Sequence, residues 1–297
     1  MADNETDMHT ATTGTDQTQR QEQDRDQNQA QATDRAASST VGDPAEAMLG
    51  ARGLTKSFGG FVAVDGVDLA VQEGELRSII GPNGAGKTTL FNVLTNALTP
   101  SGGQVYFGGE EITDVPQHER PHMGLVRSFQ SNQLFEEQTV LENVRIVAQT
   151  IEQGPFSFDL FRTGRRVAEE DAYEILERVG LAEQAHESAA NLSHGDQRRL
   201  TIAMSLATDP SVLLLDEPTS GMGPTETEET AAMIESLQSE YDLTLVLIEH
   251  DMSIVLSMSD RITVLNRGQV LATGPPDEIQ ANDAVQTAYL GGMEDEL

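Results

Sequence analysis

Short apolar runs punctuate the chain, and most of them end at a turn signal. Residues 61–71, FVAVDGVDLAV, are β-branched and partly alternating, which predicts a strand. Leu76–Ile80 is a short apolar strand that stops at Gly81, and Thr88–Leu98 follows with helical spacing. QVYF (104–107) predicts a further strand before a Gly-Gly turn. Residues 139–151 and 165–187 are helical in pattern, separated by a loop with Gly154 and Pro155. In 194–208, Leu200, Ala203, Met204 and Ala207 recur on one helical face. SVLLL (211–215) reads as a buried strand, 225–240 as a polar-faced helix and TLVLIEH (244–250) as another strand. Met252–Ser259 predicts a short helix, 261–274 a hairpin and 276–290 a terminal helix. Strands alternating with helices imply an α/β fold with a largely parallel sheet. The helix-rich block at about 131–208 interrupts that alternation and is expected to form a lobe of its own.

Composition adds two boundaries. Residues 1–46 hold almost nothing apolar, so they are expected to be disordered, and the folded domain is expected over 47–297. The chain has 297 residues, no cysteine and no stretch near the roughly 18 unbroken apolar residues of a membrane span. Disulfides, thiolate metal sites and a crossing helix are thereby set aside. The polar N-terminus lacks the apolar core of a signal peptide, so a soluble intracellular protein is expected.

Charge sharpens this. The net charge is −31, and residues 1–46 account for only −7 of it. The folded part is therefore acidic, which argues against nucleic acid as a partner. Lys56 and Lys87 are the only lysines in the sequence. A well-solvated surface is one explanation; adaptation to a salt-rich cytoplasm is the other, and the scarcity of lysine favours it.

The chemistry lies at three strand or helix ends. GPNGAGKT (Gly81, Pro82, Asn83, Gly84, Ala85, Gly86, Lys87, Thr88), followed by Thr89, satisfies G-x-x-x-x-G-K-[ST] between a strand and a helix. Its N–H groups and the helix N-terminus suit phosphate, Lys87 suits the β- and γ-phosphates, and the Thr88 hydroxyl suits Mg²⁺. SVLLLDEP ends a strand in two carboxylates: Asp216 suits Mg²⁺, and Glu217 can polarise an attacking water. LSHGDQRRL (192–200) opens a helix with a capping-box pattern, Ser193 to Asp196. Gly195 in that first turn is a poor helix former that permits close backbone approach. The chain thus carries two phosphate-suited ends about a hundred residues apart in sequence.

The phosphate loop, LSHGD, LLLDEP and LIEHD, in that order, resemble the ATP-binding subunit of an ABC transporter over about residues 47–297. The resemblance implies a P-loop NTPase of the ABC type: a RecA-like mixed-sheet core, an antiparallel β subdomain and a helical subdomain at about 131–208. It also implies that two such subunits meet head to tail. Leu192, Ser193, His194, Gly195 and Asp196 would then complete the partner's ATP site. Gln130, in RSFQ, matches the glutamine that contacts Mg²⁺ or water and senses the membrane subunit. His250 matches the histidine that contacts the γ-phosphate. Phe58, in LTKSFGG, falls where family members stack an aromatic on adenine; a core phenylalanine is the rival reading. His194 and Asp196 depart from the common Gly and Gln, so Asp196 is expected to cap its own helix. Gly223 stands where many members have aspartate.

Details such as GLVRSFQ, LATDP, SGMGP, LIEHDMSIV and the closing AYLGG are similar to import ATPases for branched-chain amino acids. Urea and short-amide importers share LSHG and remain the alternative. Soluble ABC machines and an inactive regulatory relative are further alternatives. One ATPase module, the absence of a long heptad run and the acidic balance argue against the first; intact Lys87, Asp216, Glu217 and His250 argue against the second. The resemblance further implies ATP and Mg²⁺, two permease subunits and a second similar ATPase or second copy. A solute-binding protein acts indirectly, and the chain works peripherally at the cytoplasmic face of the cell membrane.

Overall fold

A computed structural model describes residues 42–128, 133–152 and 164–290. The expected disorder of residues 1–41, Gln130 in its loop, the Gly154–Pro155 loop and the end of AYLGG lie outside these residues. Gly42–Glu46, placed in the tail by composition, belong to the folded unit. Asp43 pairs with Arg52, and a Cβ on Gly50 would lie 1.9 Å from the Pro44 carbonyl.

Two sheets build the body. Strands β1 (Leu49–Phe58), β2 (Phe61–Val71), β4 (Gly102–Phe107) and β5 (Glu110–Glu111) form an antiparallel sheet in the order β2-β1-β4-β5. The second sheet runs β10-β9-β3-β8-β7-β6. Its members are β3 (Leu76–Ile80), β6 (Leu125–Arg127), β7 (Val212–Asp216), β8 (Thr244–Ile248), β9 (Arg261–Asn266) and β10 (Gln269–Gly274). All its pairs are parallel except β9 with β10, the predicted hairpin.

The apolar runs explain this sheet. Every residue of β3 and β8 is buried, as expected when both faces of a parallel sheet are covered. In β7 the covering alternates with period two. Leu213 and Leu215 join the cluster packed by helices α2 (Val140–Glu152), α3 (Gly164–Arg178) and α4 (His194–Leu206). Val212 and Leu214 join the cluster shared with α1 (Lys87–Leu94) and the antiparallel sheet. One apolar cluster joins the helix-rich block to the sheet. The predicted face of α4 is buried at Leu200, Ala203 and Met204, and Thr201, Ile202, Ser205 and Leu206 are buried as well.

Several helix ends differ from the periodic reading, each for a local reason. The pattern over 165–187 stops as helix at Arg178, because Gly180 adopts φ +75° and Leu181 N–H closes on the Leu176 carbonyl at 2.7 Å. α1 ends at Leu94, short of Leu98, and Asn96 turns left-handed at φ +54°. The terminal helix divides into α7 (Pro276–Gln280) and α8 (Asp283–Leu290). There the Asn282 side chain accepts from the N–H groups of Ala284 and Val285, which starts a new helix. Two further helices, α5 (Pro224–Tyr241) and α6 (Met252–Met258), match expectation closely.

The acidic surface carries a prediction. The sequence beyond residue 46 has a net charge of −24. The Debye length falls from about 10 Å at 0.1 M salt to about 3 Å at 1 M, which relieves like-charge repulsion. The melting temperature is expected to rise steeply between these conditions; a flat thermal-denaturation profile would reject salt adaptation.

Candidate functional site

Three of the predicted groups converge at the C-terminal ends of parallel strands, where ligands of open α/β sheets bind. β3 delivers Gly81, β7 delivers Asp216 and Glu217, and β8 runs into Glu249 and His250.

The phosphate loop turns back on itself, with Ala85 N–H donating to the Pro82 carbonyl at 3.1 Å. Asn83 and Gly84 are exposed at its crest, while Ala85 is buried. Gly86 caps α1 at φ +104°, and a Cβ there would lie 2.4 Å from the Ala63 carbonyl. A side chain at this position would block the close approach of the loop to β2. The cap also directs the free N–H groups of the first helical turn toward the loop. Lys87 is buried, and its ammonium donates to the carbonyls of Gly81 at 2.6 Å and Pro82 at 3.2 Å. Burial lowers its pKa below the ordinary lysine value, and the charges of Glu217 and Asp216 oppose that shift. The loop and the end of β7 therefore share one electrostatic site. Thr88 is exposed and Thr89 half-buried beside it.

Asp216 is half-buried, and its Oδ2 accepts from Arg127 at 2.5 Å. The other arm of Arg127 donates to Asn92 Oδ1 on α1 at 2.5 Å. Glu217 follows in a left-handed conformation, φ +49°, which non-glycine residues rarely adopt. Its own N–H, bonded to the Ile248 carbonyl at 2.9 Å, helps hold it there. The Glu217 carboxylate meets His250 Nε2 at 2.6 Å. Glu249 is buried and accepts from Thr219 N–H, Thr219 Oγ1 and His250 N–H at 2.9, 2.7 and 3.1 Å. It thereby locks the loop after Glu217 to the residue that carries His250. The sequence reading gave Glu249 and Arg127 no role. The visible signal was a carboxylate inside LIEHD and an arginine three residues before Gln130.

These groups fit a nucleotide triphosphate with Mg²⁺. Among the described residues, no group of three or more His, Cys, Asp or Glu could hold a metal ion alone. Mg²⁺ does not require such a cage; it is commonly held by one or two carboxylates and substrate phosphates. Asp216 and the exposed Thr88 hydroxyl supply a donor set of that kind.

The second phosphate-suited end is built locally. Ser193 caps α4, its Oγ accepting from Asp196 N–H at 3.1 Å and donating to Asp196 Oδ2 at 2.8 Å. The cap is thus Ser193, and Asp196 closes the turn by accepting the serine hydroxyl. Leu192 is buried and anchors the tip, whereas Ser193 and His194 are exposed. Gly195 is buried against this chain's own α5: a Cβ would lie 2.9 Å from Glu226 Oε1. Gly223 caps α5 in extended conformation, its N–H donating to Glu226 Oε2 at 3.3 Å.

Phe58 is 46% exposed at the end of β1, opposite Phe61, with Lys56 Nζ 5.2 Å from its ring centre. It is therefore not a core residue. A groove of about 850 Å³ is lined by Arg127, Ser128, Phe135, Ile146, Met204 and others.

Comparison with known proteins agrees with this geometry. The ABC transporter family profile matches residues 64–220, and the branched-chain amino acid ATP-binding cassette transporter profile matches 269–295. The chain is 47% identical over 250 residues to the high-affinity branched-chain amino acid transport ATP-binding protein BraF of Pseudomonas aeruginosa, covering 82% of this chain and 98% of that protein. It is 44% identical over 249 residues to the corresponding protein LivG of Escherichia coli K12, with the same coverage. Among solved structures, a nucleotide-free ATP-binding cassette from an ABC transporter superposes with a TM-score of 0.73 at 33% identity, covering 82% of this chain and 98% of that one. The ADP conformation of an ABC transporter cassette gives the same values.

Proposed function

This chain belongs to the ABC transporter family of ATP-binding subunits, and we propose that it powers import of branched-chain amino acids through separate permease subunits. The solute assignment rests on the near-complete coverage of BraF at 47% identity, together with the C-terminal family match. The chain is an ATPase, and its chemistry follows from the site. Lys87 and the N–H groups of the phosphate loop hold the β- and γ-phosphates. Thr88 and Asp216, with Gln130, would hold Mg²⁺, which when bound neutralises charge on the phosphate oxygens. Glu217 orients the attacking water, and His250, 2.6 Å from Glu217, contacts the γ-phosphate. Phe58 stacks on adenine.

Leu192–Asp196 complete the site of a second ATPase, either a similar chain or a second copy. The permeases approach the 850 Å³ groove, whose lining residue Ser128 precedes Gln130 by two positions. No helix among the described residues is long and apolar enough to cross a membrane. In this reading the chain works at the cytoplasmic face, held there through its permeases. A solute-binding protein supplies the amino acid from the other side. The folded unit begins at Gly42, and deleting residues 1–41 is expected to leave melting and ATP hydrolysis nearly unchanged. Loss of folded protein on that truncation would contradict this.

The test is reconstitution with the permeases and solute-binding protein that co-purify from membranes. Leucine, isoleucine or valine is expected to stimulate ATP hydrolysis and to accumulate in vesicles. Stimulation by urea or short amides alone would replace the solute assignment while leaving the ATPase intact.

A further inference from the structure

Arg127 is placed to connect two parts of the molecule. It ends β6, which pairs with β7 in register Arg127 to Leu214. One guanidinium arm binds Asp216 Oδ2 and the other binds Asn92 Oδ1, both at 2.5 Å. The same side chain lines the groove beside Ser128 and Phe135. It is four-fifths buried, as is Asp216, so the contact is weakly screened by water. A guanidinium stays charged at any working pH. Arg127 therefore neutralises the carboxylate that faces the metal in the proposed site. A divalent cation and a guanidinium crowded on one largely buried carboxylate repel one another, so the arrival of one loosens the other.

We infer that Arg127 is a positioning residue that holds Asp216 as a counter-ion, yields it to Mg²⁺, and carries that exchange to the wall of the groove. The Asn92 contact keeps the guanidinium tethered to α1 while the Asp216 contact exchanges. Arg127 and its chain neighbour Ser128 both line the groove, so a change in the Arg127 contact is felt at the groove wall. The inference rests on the reading of Asp216 as the metal-facing carboxylate.

The test measures binding of a fluorescent ATP analogue to the full chain as free Mg²⁺ is raised. Arg127→Met removes the competing cation, so half-saturation is expected at about three- to tenfold lower Mg²⁺, the effect of losing one charge-assisted bond partly replaced by water. Arg127→Lys keeps the charge, but a single ammonium cannot fork between Asn92 and Asp216, so its midpoint is expected between the two. Hydrogen exchange provides a second readout. The peptide containing Leu125–Ser128 is expected to change protection when Mg²⁺ and ATP are added to the native chain, and to change much less in Arg127→Met. An unchanged or higher Mg²⁺ midpoint in Arg127→Met overturns the proposal. If that variant loses cooperative melting, Arg127→Lys carries the same comparison: a midpoint equal to or above the native value overturns it. Asp216→Asn separates the premise from the inference. If it retains native Mg²⁺ dependence, the site reading itself is wrong. If it loses that dependence while both Arg127 variants titrate like the native chain, only the role of Arg127 fails.

Discussion

Lys87→Ala is expected to lower ATP hydrolysis by about 10²–10³-fold, the range for removing one pre-positioned electrostatic group from a transition state. The ammonium is buried beside the loop carbonyls of Gly81 and Pro82, where it is positioned before phosphate arrives. Burial weakens its hold on the proton, while Asp216 and Glu217 strengthen it. Alanine removes the charge and leaves Gly86, the cap geometry and the helix N-terminus in place. The fold should therefore survive while ATP binds more weakly. Steady-state hydrolysis and nucleotide affinity, measured on the purified chain and on the assembled transporter, check both parts. Undiminished hydrolysis would overturn the assignment of the loop.

Glu217→Gln is expected to slow turnover by about 10²–10⁴-fold, the usual contribution of a positioned general base. The amide keeps the size of the side chain and can still hydrogen-bond to His250 Nε2. It cannot accept a proton from water. ATP binding should be retained, so ATP-bound dimers should accumulate and persist. Light scattering with and without ATP, together with single-turnover kinetics, measures this. A variant that turns over normally would move the catalytic carboxylate elsewhere. The unusual φ of +49° at Glu217 belongs to the same argument. A strained backbone at the end of β7 is maintained by the Ile248 carbonyl, which ties Glu217 to β8 and to His250.

Much of this site was legible in the sequence because its signals are local. The phosphate loop needs glycines and a lysine at fixed offsets, and α1 begins where those residues place it. β3, β7 and β8 are short apolar runs that end in polar residues, so both the buried sheet and the position of Asp216 and Glu217 could be read from them. β1 was not legible. Its stretch LGARGLTKSF contains Gly50 and Gly53, and its pairing with β2 shifts register between Ala51 and Leu54 and again twice before Ser57. Those bulges erase the alternation that marks a strand. β6 is only three residues long and is defined by its pairing with β7. Arg127 and Glu249 escaped for a similar reason: the partners that give them meaning, Asp216 and Thr219, lie 89 and 30 residues away in the chain. Gly195 shows the reverse case. The sequence suggested close approach to a ligand, and the structure places its own Glu226 against that face.

The central claim is that the LSHGD tip completes an ATP site on a second subunit. Ser193 is exposed at the tip, and its hydroxyl bonds within its own turn to Asp196, so its outer side is open to another chain. Ser193→Arg places a bulky side chain there and leaves this chain's phosphate loop untouched. ATP binding to the single chain should therefore stay at the native level, while hydrolysis by the assembled transporter falls. If the chain pairs with itself, mixing Ser193→Arg with Lys87→Ala chains should partly restore activity, because one of the two sites in the mixed dimer then carries neither defect. The most direct measurement is ATP hydrolysis by the fully assembled transporter carrying Ser193→Arg: a marked loss with ATP binding to the single chain intact is the predicted result, and hydrolysis at the native rate would contradict the account.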